Sequence, residues 1–256
     1  MKQLLIVLLI AFQTAPAMLA YGPTGHRAIA TIARDELSAG ARKKIDKILG
    51  TNGMIYFSTW ADEVRSDPSY SYSYPWHYQN LNSSMSPENI VSLWNNPEAE
   101  GEHLFFAIQQ MQQRLKKNKK DAEALKFLIH FTGDLYQPMH LGRQADQGGN
   151  KVGYTWFGEK SNIHRLWDSQ LIDHYSMSYS ELAGYLSDRF GPQKRKLKKS
   201  ALSDDLHHSY QLSVRIYNYD NRDTNNYLYF YRFSYDQELQ LYKAGLRLAQ
   251  FLESIY

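Results

Sequence analysis

The stretch FLIHFTGDLYQPMH, from Phe127 to His140, decides how this chain folds. Apolar residues recur at helical spacing before and through it, which predicts a helix from Asp121 to Tyr136 that ends before Pro138. His130 and Asp134 stand four residues apart in this helix, so both side chains leave the same face. Such a pair is either an ordinary surface ion pair or part of a site, and the wider sequence has to decide between the two.

Two further features favour a site. Gly133 stands inside the predicted helix at a cost of about 0.5–1 kcal/mol relative to alanine, and close approach of another group is one reason for a glycine there. The His-x-x-x-Asp spacing recurs at His164 and Asp168, and His140 follows the helix at a point where the chain can fold back. The sequence thus holds two pairs of candidate ligands and a fifth between them.

The donor types in this set are those that zinc binds. The chain has no cysteine, which excludes disulfides and thiolate ligands and leaves His, Asp, Glu and main-chain atoms for any transition metal. His26, Asp62 and His77 lie upstream and extend the set. Since a carboxylate can bridge two ions, and paired metals about 3.5–4 Å apart clamp a phosphate, a multinuclear zinc site becomes a hypothesis.

Helical patterns cover most of the chain after residue 20. They predict one mostly α domain with at most a small β-hairpin, in which Val152 to Phe157 is the best strand candidate. Ser66 to Pro75 is rich in Ser, Tyr and Pro and is predicted as a loop. Helices are also predicted at Ser161 to Tyr175 and at Ser234 to Ile255.

Composition sets broad limits on the function. The 256 residues are 43% hydrophobic, which excludes a disordered chain. The net charge of +3 is too small to indicate nucleic-acid binding by itself. The 20 tyrosines are consistent with aromatic core packing and with stacking platforms for bases.

Residues 1–20 are interpreted as an export signal. Lys2 precedes a short apolar run from Leu4 to Phe12, and small alanines follow it. The run is too short to span a bilayer, so we expect a secreted or periplasmic protein without membrane insertion. The small-residue rule slightly favours cleavage after Ala17 over cleavage after Ala20.

Several blocks of the chain, in order, resemble the S1/P1 nuclease family, the zinc-dependent single-strand nucleases, over the whole of residues 21–256. The blocks are YGPTGH (21–26), WADEVR (60–65), WHY (76–78), the opening stretch, GGNK (148–151) and HRLWD (164–168). The resemblance implies the fold shared by phospholipase C and nuclease P1. It also implies three zinc ions and hydrolysis of single-stranded DNA and RNA to 5′-phosphate products, with 3′-nucleotidase activity.

The resemblance also assigns the ligands. One zinc takes Asp62, His77, His130 and Asp134, and a second takes His140, His164 and Asp168. The third takes His26, a bridging Asp134, and the amino nitrogen and carbonyl oxygen of the first mature residue. That residue is Tyr21 here, where the family has Trp. Because an α-amino group binds zinc only when it is free, this assignment predicts cleavage after Ala20.

The remaining roles implied by the family fall on five residues. Asp62 orients the attacking water as well as binding metal, and Arg65 stabilises the transition state; an ordinary salt bridge is the alternative for Arg65. Tyr78 stacks a base, or else is a core residue, and Asn80 contacts base edges. Asn150 holds the cluster loop or a water, or else belongs to a plain glycine turn.

Two other functions remain open at this stage. A zinc phospholipase C shares the implied fold and metal ligands, and a catalytically silent secreted zinc-binding protein would retain the ligands without activity. Nothing in the sequence indicates an obligate protein partner, and we expect a monomer that acts on single-stranded nucleic acid and nucleotides.

Overall fold

The computed structural model describes residues 21–81, 84–98, 101–219 and 225–256. The predicted export signal therefore lies outside the described residues. Among the described residues there are eight α-helices of nine residues or more: α1 Pro23–Glu36, α2 Ala39–Leu49, α3 Pro87–Asn95, α4 Leu104–Lys117, α5 Ala122–Asp134, α6 Tyr179–Phe190, α7 Leu202–Asn218 and α8 Asn226–Glu253. The prediction of a mostly α fold is confirmed.

Helix α5 lies at the centre, and α1 and α8 pack together beside it. Every residue of α5 from Phe127 to Asp134 is buried, so its ligand face is enclosed by protein and does not face solvent. Gly245 lets α8 come close to α1, because a Cβ there would lie 2.6 Å from Cγ2 of Ile32. This close packing holds the first turn of α1 against the last turns of α5.

A small antiparallel hairpin confirms the one predicted strand. Strand β1 Gly153–Trp156 pairs with β2 Glu159–Asn162. The prediction that a helix begins at Ser161 is wrong for its first two residues, because Ser161 and Asn162 pair with β1. The helical segment begins at Ile163, where the Asn162 side chain caps it by accepting a hydrogen bond from the backbone N–H of Arg165 at 2.8 Å.

Two other segments also differ from their predictions. The predicted loop at residues 66–75 is wrong: Pro68–His77 forms 3₁₀ turns, which begin where Asp67 accepts a hydrogen bond from the N–H of Ser69 at 2.9 Å. Helix α8 begins eight residues before Ser234, because its tyrosine-rich first turns are anchored by Tyr229, whose hydroxyl accepts a 2.8 Å hydrogen bond from Trp167.

A buried polar network ties α7 and α8 to the segment after α5. The carboxylate of Asp205 accepts hydrogen bonds from Lys243 (2.8 Å), Arg247 (2.7 Å) and the hydroxyl of Tyr136 (2.6 Å). Burial alone would raise the pKa of Asp205, but these partners outweigh it and hold the pKa below its ordinary value. None of the helices in the described ranges is long and apolar enough to cross a membrane.

Candidate metal centre

The eight side chains predicted as metal ligands meet in one place. Seven of them are buried, and the side chain of Asp62 is 10% exposed. Their nitrogen and oxygen atoms form three groups within 4.8 Å of one another: His26, His130 and Asp134; Asp62, His77 and His130; and His140, His164 and Asp168. The three groups contain every side chain that the sequence analysis assigned to metal.

Asp134 joins the groups, because its two oxygens face different histidines. Oδ1 lies 3.3 Å from Nε2 of His26, whereas Oδ2 lies 3.1 Å from Nδ1 of His77 and 3.3 Å from Nε2 of His130. Asp62 closes the second group with Oδ1 at 3.6 Å from Nδ1 of His77. A carboxylate placed in this way has the geometry of a bridge between two ions.

The third group lies beside the other two. Nε2 of His164 is 3.2 Å from Oδ2 of Asp168, and Nε2 of His140 is 3.6 Å from Oδ1 of the same carboxylate. Nδ1 of His140 is also 3.8 Å from Oδ1 of Asp134, which links this group to the rest. Asp168 lies in a π-helical turn, Leu166–Gln170, a local widening of the helix that is frequent at functional sites.

The unusual glycine of α5 is explained by its contact with α1. A Cβ at Gly133 would lie 2.7 Å from Nδ1 of His26, closer than a side chain could approach. The sequence-based expectation of a close approach at this glycine is therefore confirmed. The imidazole of His26 also stacks on that of His130, with the ring centroids 4.0 Å apart.

The spacing of these atoms fits metal ligands better than direct ion pairs. Charge-assisted hydrogen bonds between nitrogen and carboxylate oxygen are about 2.7–2.9 Å long, whereas the pairs here measure 3.1–3.8 Å. Zinc bonds of about 2.0–2.2 Å in a tetrahedron place neighbouring ligand atoms about 3.4 Å apart. Buried atoms without a hydrogen-bond partner among the described residues include Nε2 of His26, Oδ1 of Asp62, Oδ1 of Asp134 and Nδ1 of His140. The donor set and its spacing therefore fit zinc.

Main-chain carbonyl groups orient two of the imidazoles. Nδ1 of His130 donates to the carbonyl of Ser58 at 2.7 Å, and Nδ1 of His164 donates to the carbonyl of Gly148 at 2.7 Å. Because a carbonyl oxygen only accepts, Nδ1 carries the proton in each ring and Nε2 is left to bind a metal.

Gln137 is a buried supporting residue that the sequence analysis missed. Its amide nitrogen donates to Oδ1 of Asp168, and its amide oxygen accepts from the N–H of Met139 at 2.5 Å. The sequence did offer one signal for Gln137, namely its position between the predicted ligands Asp134 and His140. Glutamine is not a usual zinc ligand, however, so the donor types alone did not single it out.

The electrostatics of the cluster favour a positive charge among these residues. Burial opposes protonation of His130, but Asp134 and Asp62 reverse this and raise its pKa to about 9. Burial would likewise raise the pKa of Asp134, yet His130 and hydrogen bonds from its histidine neighbours hold that pKa well below the ordinary range. The carboxylates are therefore anionic at neutral pH, as a metal site requires.

Tyr21 is anchored at the same place. Its side chain is fully buried, and its hydroxyl donates to the main-chain carbonyl of Tyr136 at 3.0 Å. The N–H of Gly22 donates to the carbonyl of Asp168 at 2.7 Å. These two bonds hold the main chain of residue 21 beside the cluster.

Arg65 lies at the edge of the cluster. Its Nη1 is 3.7 Å from Oδ1 of Asp62, and its guanidinium group is 5.4 Å from the ring centroid of Tyr74. The hydroxyl of Tyr74 also donates to the main-chain carbonyl of Arg65 at 2.5 Å. Tyr74 thus supports Arg65 through both its ring and its hydroxyl, a contact that sequence reasoning did not find.

The predicted substrate residues lie in two separate loops. Residues 78–81 run extended beside residues 140–142, with the N–H of Gln79 bonded to the carbonyl of His140 at 2.8 Å. Gln79 and Leu81 are buried, so Tyr78 and Asn80 are on the outward side of the segment and are each partly exposed. The ring of Tyr78 lies 5.8 Å from that of His103.

Asn150 keeps its side chain within its own turn. Its amide nitrogen donates to the carbonyl of Gln147 at 2.9 Å. The contact between this loop and the cluster comes instead from the carbonyl of Gly148, which accepts from His164. The geometry favours the glycine-turn interpretation that the sequence left open for Asn150.

Comparison with known proteins agrees with the mostly α fold. The family described as S1/P1 Nuclease matches residues 21–256, so the chain belongs to the S1/P1 nuclease family. The chain is 30% identical to Endonuclease 2 of Arabidopsis thaliana over 66% of its length and 62% of that relative. It is 26% identical to Nuclease S1 of Aspergillus oryzae over 80% of this chain and 75% of that one. It is 30% identical to Nuclease P1 of Penicillium citrinum, over 63% of each chain.

Proposed function

We propose that the protein is an exported, zinc-dependent endonuclease that hydrolyses phosphodiester bonds of single-stranded DNA and RNA to 5′-phosphate products, with 3′-nucleotidase activity. The observation that carries this proposal is the position of Asp134, whose two oxygens face the histidines of two different groups. The names of the relatives, Nuclease S1 and Nuclease P1, support it.

Three zinc ions would be held by the residues of the three groups, together with the amino nitrogen and carbonyl oxygen of Tyr21. This last role requires export and cleavage after Ala20, because the amine must be free. Its support is the burial of Tyr21 and the bond from Gly22 to the carbonyl of Asp168. When bound, zinc supplies Lewis acidity: it polarises phosphoryl oxygens and activates water at neutral pH.

The side chains around the ions have separate tasks. Oδ1 of Asp62 is buried without a hydrogen-bond partner among the described residues and lies at the rim of the cluster. Because Oδ1 belongs to the second ligand group, the other carboxylate oxygen of Asp62 orients the attacking water and accepts its proton. The fork of Arg65 then binds the non-bridging oxygens of the phosphate, on which charge accumulates in the transition state.

Tyr78 and Asn80 would bind the base next to the cleaved bond. Stacking on an aromatic ring stabilises a bound base by about 1–3 kcal/mol and hardly depends on sequence. Bases paired in a duplex are not available to stack, which favours single strands. Asn80 would contact the base edge from the same side of the extended segment.

The test is metal analysis combined with activity on two substrates. We expect three zinc ions per chain and hydrolysis of denatured DNA, lost on chelation and restored by zinc. His130→Ala should lose zinc and at least a hundredfold in rate, whereas His208→Ala, which alters a histidine outside the three groups, should keep both. Hydrolysis of phosphatidylcholine instead of DNA would identify a phospholipase C, and zinc binding without activity on either substrate would identify a silent binding protein.

A further inference from the structure

A lysine-lined cavity lies away from the metal centre, at the opposite end of α5. Its volume is about 440 Å³, within the range of small-ligand sites. Four lysines surround it: Lys44, Lys47, Lys119 and Lys120. Ile48, Ala122 and Tyr256 supply its apolar part. The surface of the cavity is mostly apolar, because the lysines line it largely through their aliphatic stems, and these four lysines are solvent-exposed.

The walls of this lysine cavity are fixed by hydrogen bonds. The hydroxyl of Tyr256 donates to the main-chain carbonyl of Lys119 at 3.0 Å, and Lys44 donates to the main-chain carbonyl of Tyr256. The side chain of Asn118 accepts from the N–H of Lys120 at 3.1 Å and shapes the turn before α5. The cavity is thus formed by the fold before any ligand enters it.

The acidic side chains nearby pair with arginines and not with the lysines, although Asp121 and Glu123 share one arginine and leave one negative charge. Asp46 lies 3.3 Å from Arg34, and Asp121 and Glu123 lie 2.9 and 3.0 Å from Arg114. Within the part of the chain that the structure describes, the ammonium groups of Lys47, Lys119 and Lys120 have no hydrogen bond or ion pair. The cavity therefore carries positive charge that is available to an external anion.

We propose that the lysine cavity is a second binding site for the single-stranded nucleic acid substrate, holding a nucleotide outside the metal centre. The lysines bind backbone phosphates, and a base packs on Tyr256 and Ile48. Proteins bind single strands in this way: positive side chains contact the phosphates, and aromatic rings stack on the bases. This proposal rests on the proposed nuclease function and adds a site to it.

The distance between the two sites sets the length of strand that reaches both. Ala122 and Asp134 stand at the two ends of α5, so the sites are separated by about 18 Å along the helix axis at 1.5 Å per residue. At about 3.4 Å per stacked nucleotide, a stacked strand needs at least about six nucleotides to span them, and a path over the surface around the buried helix is longer. A dinucleotide reaches the metal centre alone.

The test compares a thymidine dinucleotide with a twenty-nucleotide thymidine strand. In the zinc-loaded enzyme, Lys47→Glu/Lys119→Glu/Lys120→Glu should raise KM for the long strand at least tenfold at unchanged kcat, and leave dinucleotide hydrolysis unchanged. The slope of log KM against log salt should fall by about 2, since each phosphate contact of a single strand contributes about 0.7. The matched control, Lys160→Glu/Lys196→Glu/Lys199→Glu, changes three exposed lysines that do not line the cavity and should shift KM less than twofold.

Variants of Tyr256 distinguish the contribution of base stacking from that of the lysine charges. Tyr256→Ala should raise KM for the long strand about fivefold, whereas Tyr256→Phe, which keeps the ring, should resemble the unaltered enzyme. Thermal unfolding of each variant checks that it is folded. Equal effects of both triple variants, or equal effects on both substrates, would overturn the second site. Failure of the unaltered enzyme to cleave either substrate would instead overturn the nuclease function itself.

Discussion

Gly133 and His26 are in direct contact across the junction of α5 and α1, with no room between them for a Cβ. The imidazole of His26 therefore lies close against α5, with its Nε2 3.3 Å from Oδ1 of Asp134. A glycine four residues before or after would lie on the same face but about 6 Å further along α5, so it would not meet the imidazole of His26.

Substitution of this glycine should damage the metal centre. Gly133→Ala removes an unfavourable helix residue but forces His26 to move, and overpacking of this kind costs about 1–3 kcal/mol. We expect a loss of about one zinc per chain and at least a tenfold fall in activity, measured by elemental analysis and hydrolysis of denatured DNA. Gly184→Ala is the matched control: nothing lies within 4 Å of its added Cβ, so it should stabilise α6 by about 0.5–1 kcal/mol. Full zinc and activity in Gly133→Ala would contradict the steric argument.

Tyr74 should matter to catalysis through Arg65. Arg65→Ala should lower kcat about 10²–10³-fold, as expected for loss of a group that stabilises transition-state charge. Tyr74→Phe keeps the ring beneath the guanidinium group and loses only the hydrogen bond to the carbonyl of Arg65, so we expect a fall of a few-fold; Tyr74→Ala should lose about tenfold. Steady-state kinetics on a short oligonucleotide measure these effects.

The control for the Tyr74 variants is Tyr56→Ala. Tyr56 is another exposed tyrosine, 65% accessible, and it does not support Arg65. This variant should leave kcat unchanged. A Tyr74→Ala variant with normal kcat would show that Arg65 is held without this ring.

The Asp205 network should make stability depend on acid pH. The folded-state pKa of Asp205 is lowered, so its stabilisation is fully present above the unfolded value near 3.9 and is lost as the pH falls through the folded-state pKa. Asp205→Asn leaves Lys243 and Arg247 without their anionic partner and should cost about 3–5 kcal/mol at pH 7.

Urea unfolding at several pH values measures the difference in free energy of unfolding between the unaltered protein and Asp205→Asn. Zinc loss at low pH affects both proteins and therefore cancels in this difference. The difference should be constant above about pH 5 and shrink below the ordinary carboxyl pKa. Asp204→Asn, which alters the exposed neighbouring carboxylate, is the control. A difference that grows as the pH falls would have the opposite sign and refute this account of the network.

The first mature residue should be Tyr21. Intact mass of the exported protein should correspond to cleavage after Ala20, with three zinc ions bound. A form with one extra alanine before Tyr21 moves the free amine away from the cluster and should lose one zinc and at least a hundredfold in activity. A matched extension after Tyr256 should keep all three zinc ions and the rate on a dinucleotide, which does not reach the lysine cavity. Three zinc ions in the N-terminally extended form would exclude the terminal amine as a ligand.

Much of this site was predictable, because helical spacing fixes the direction of side chains within one helix. The pairs His130 with Asp134 and His164 with Asp168 follow from their four-residue spacing, and the absence of cysteine limits the donors to imidazole and carboxylate. The resemblance to the family then named the remaining ligands. Loops and helix starts were predicted less well: the Ser- and Tyr-rich segment after Asp67 is helical, and α8 begins well before Ser234.

By itself, the sequence determined the mostly α class, the ligand types and the helix faces that carry them, since these depend on local periodicity and composition. Only the tertiary structure decided how they combine. Packing of α1 on α8 at Gly245 and on α5 at Gly133 brings distant segments together, so that each oxygen of Asp134 faces a different histidine. The same packing gathers the lysines of α2 and of the turn before α5 around Tyr256. Spacing along a chain cannot specify such contacts, because they depend on which helix surfaces bury each other.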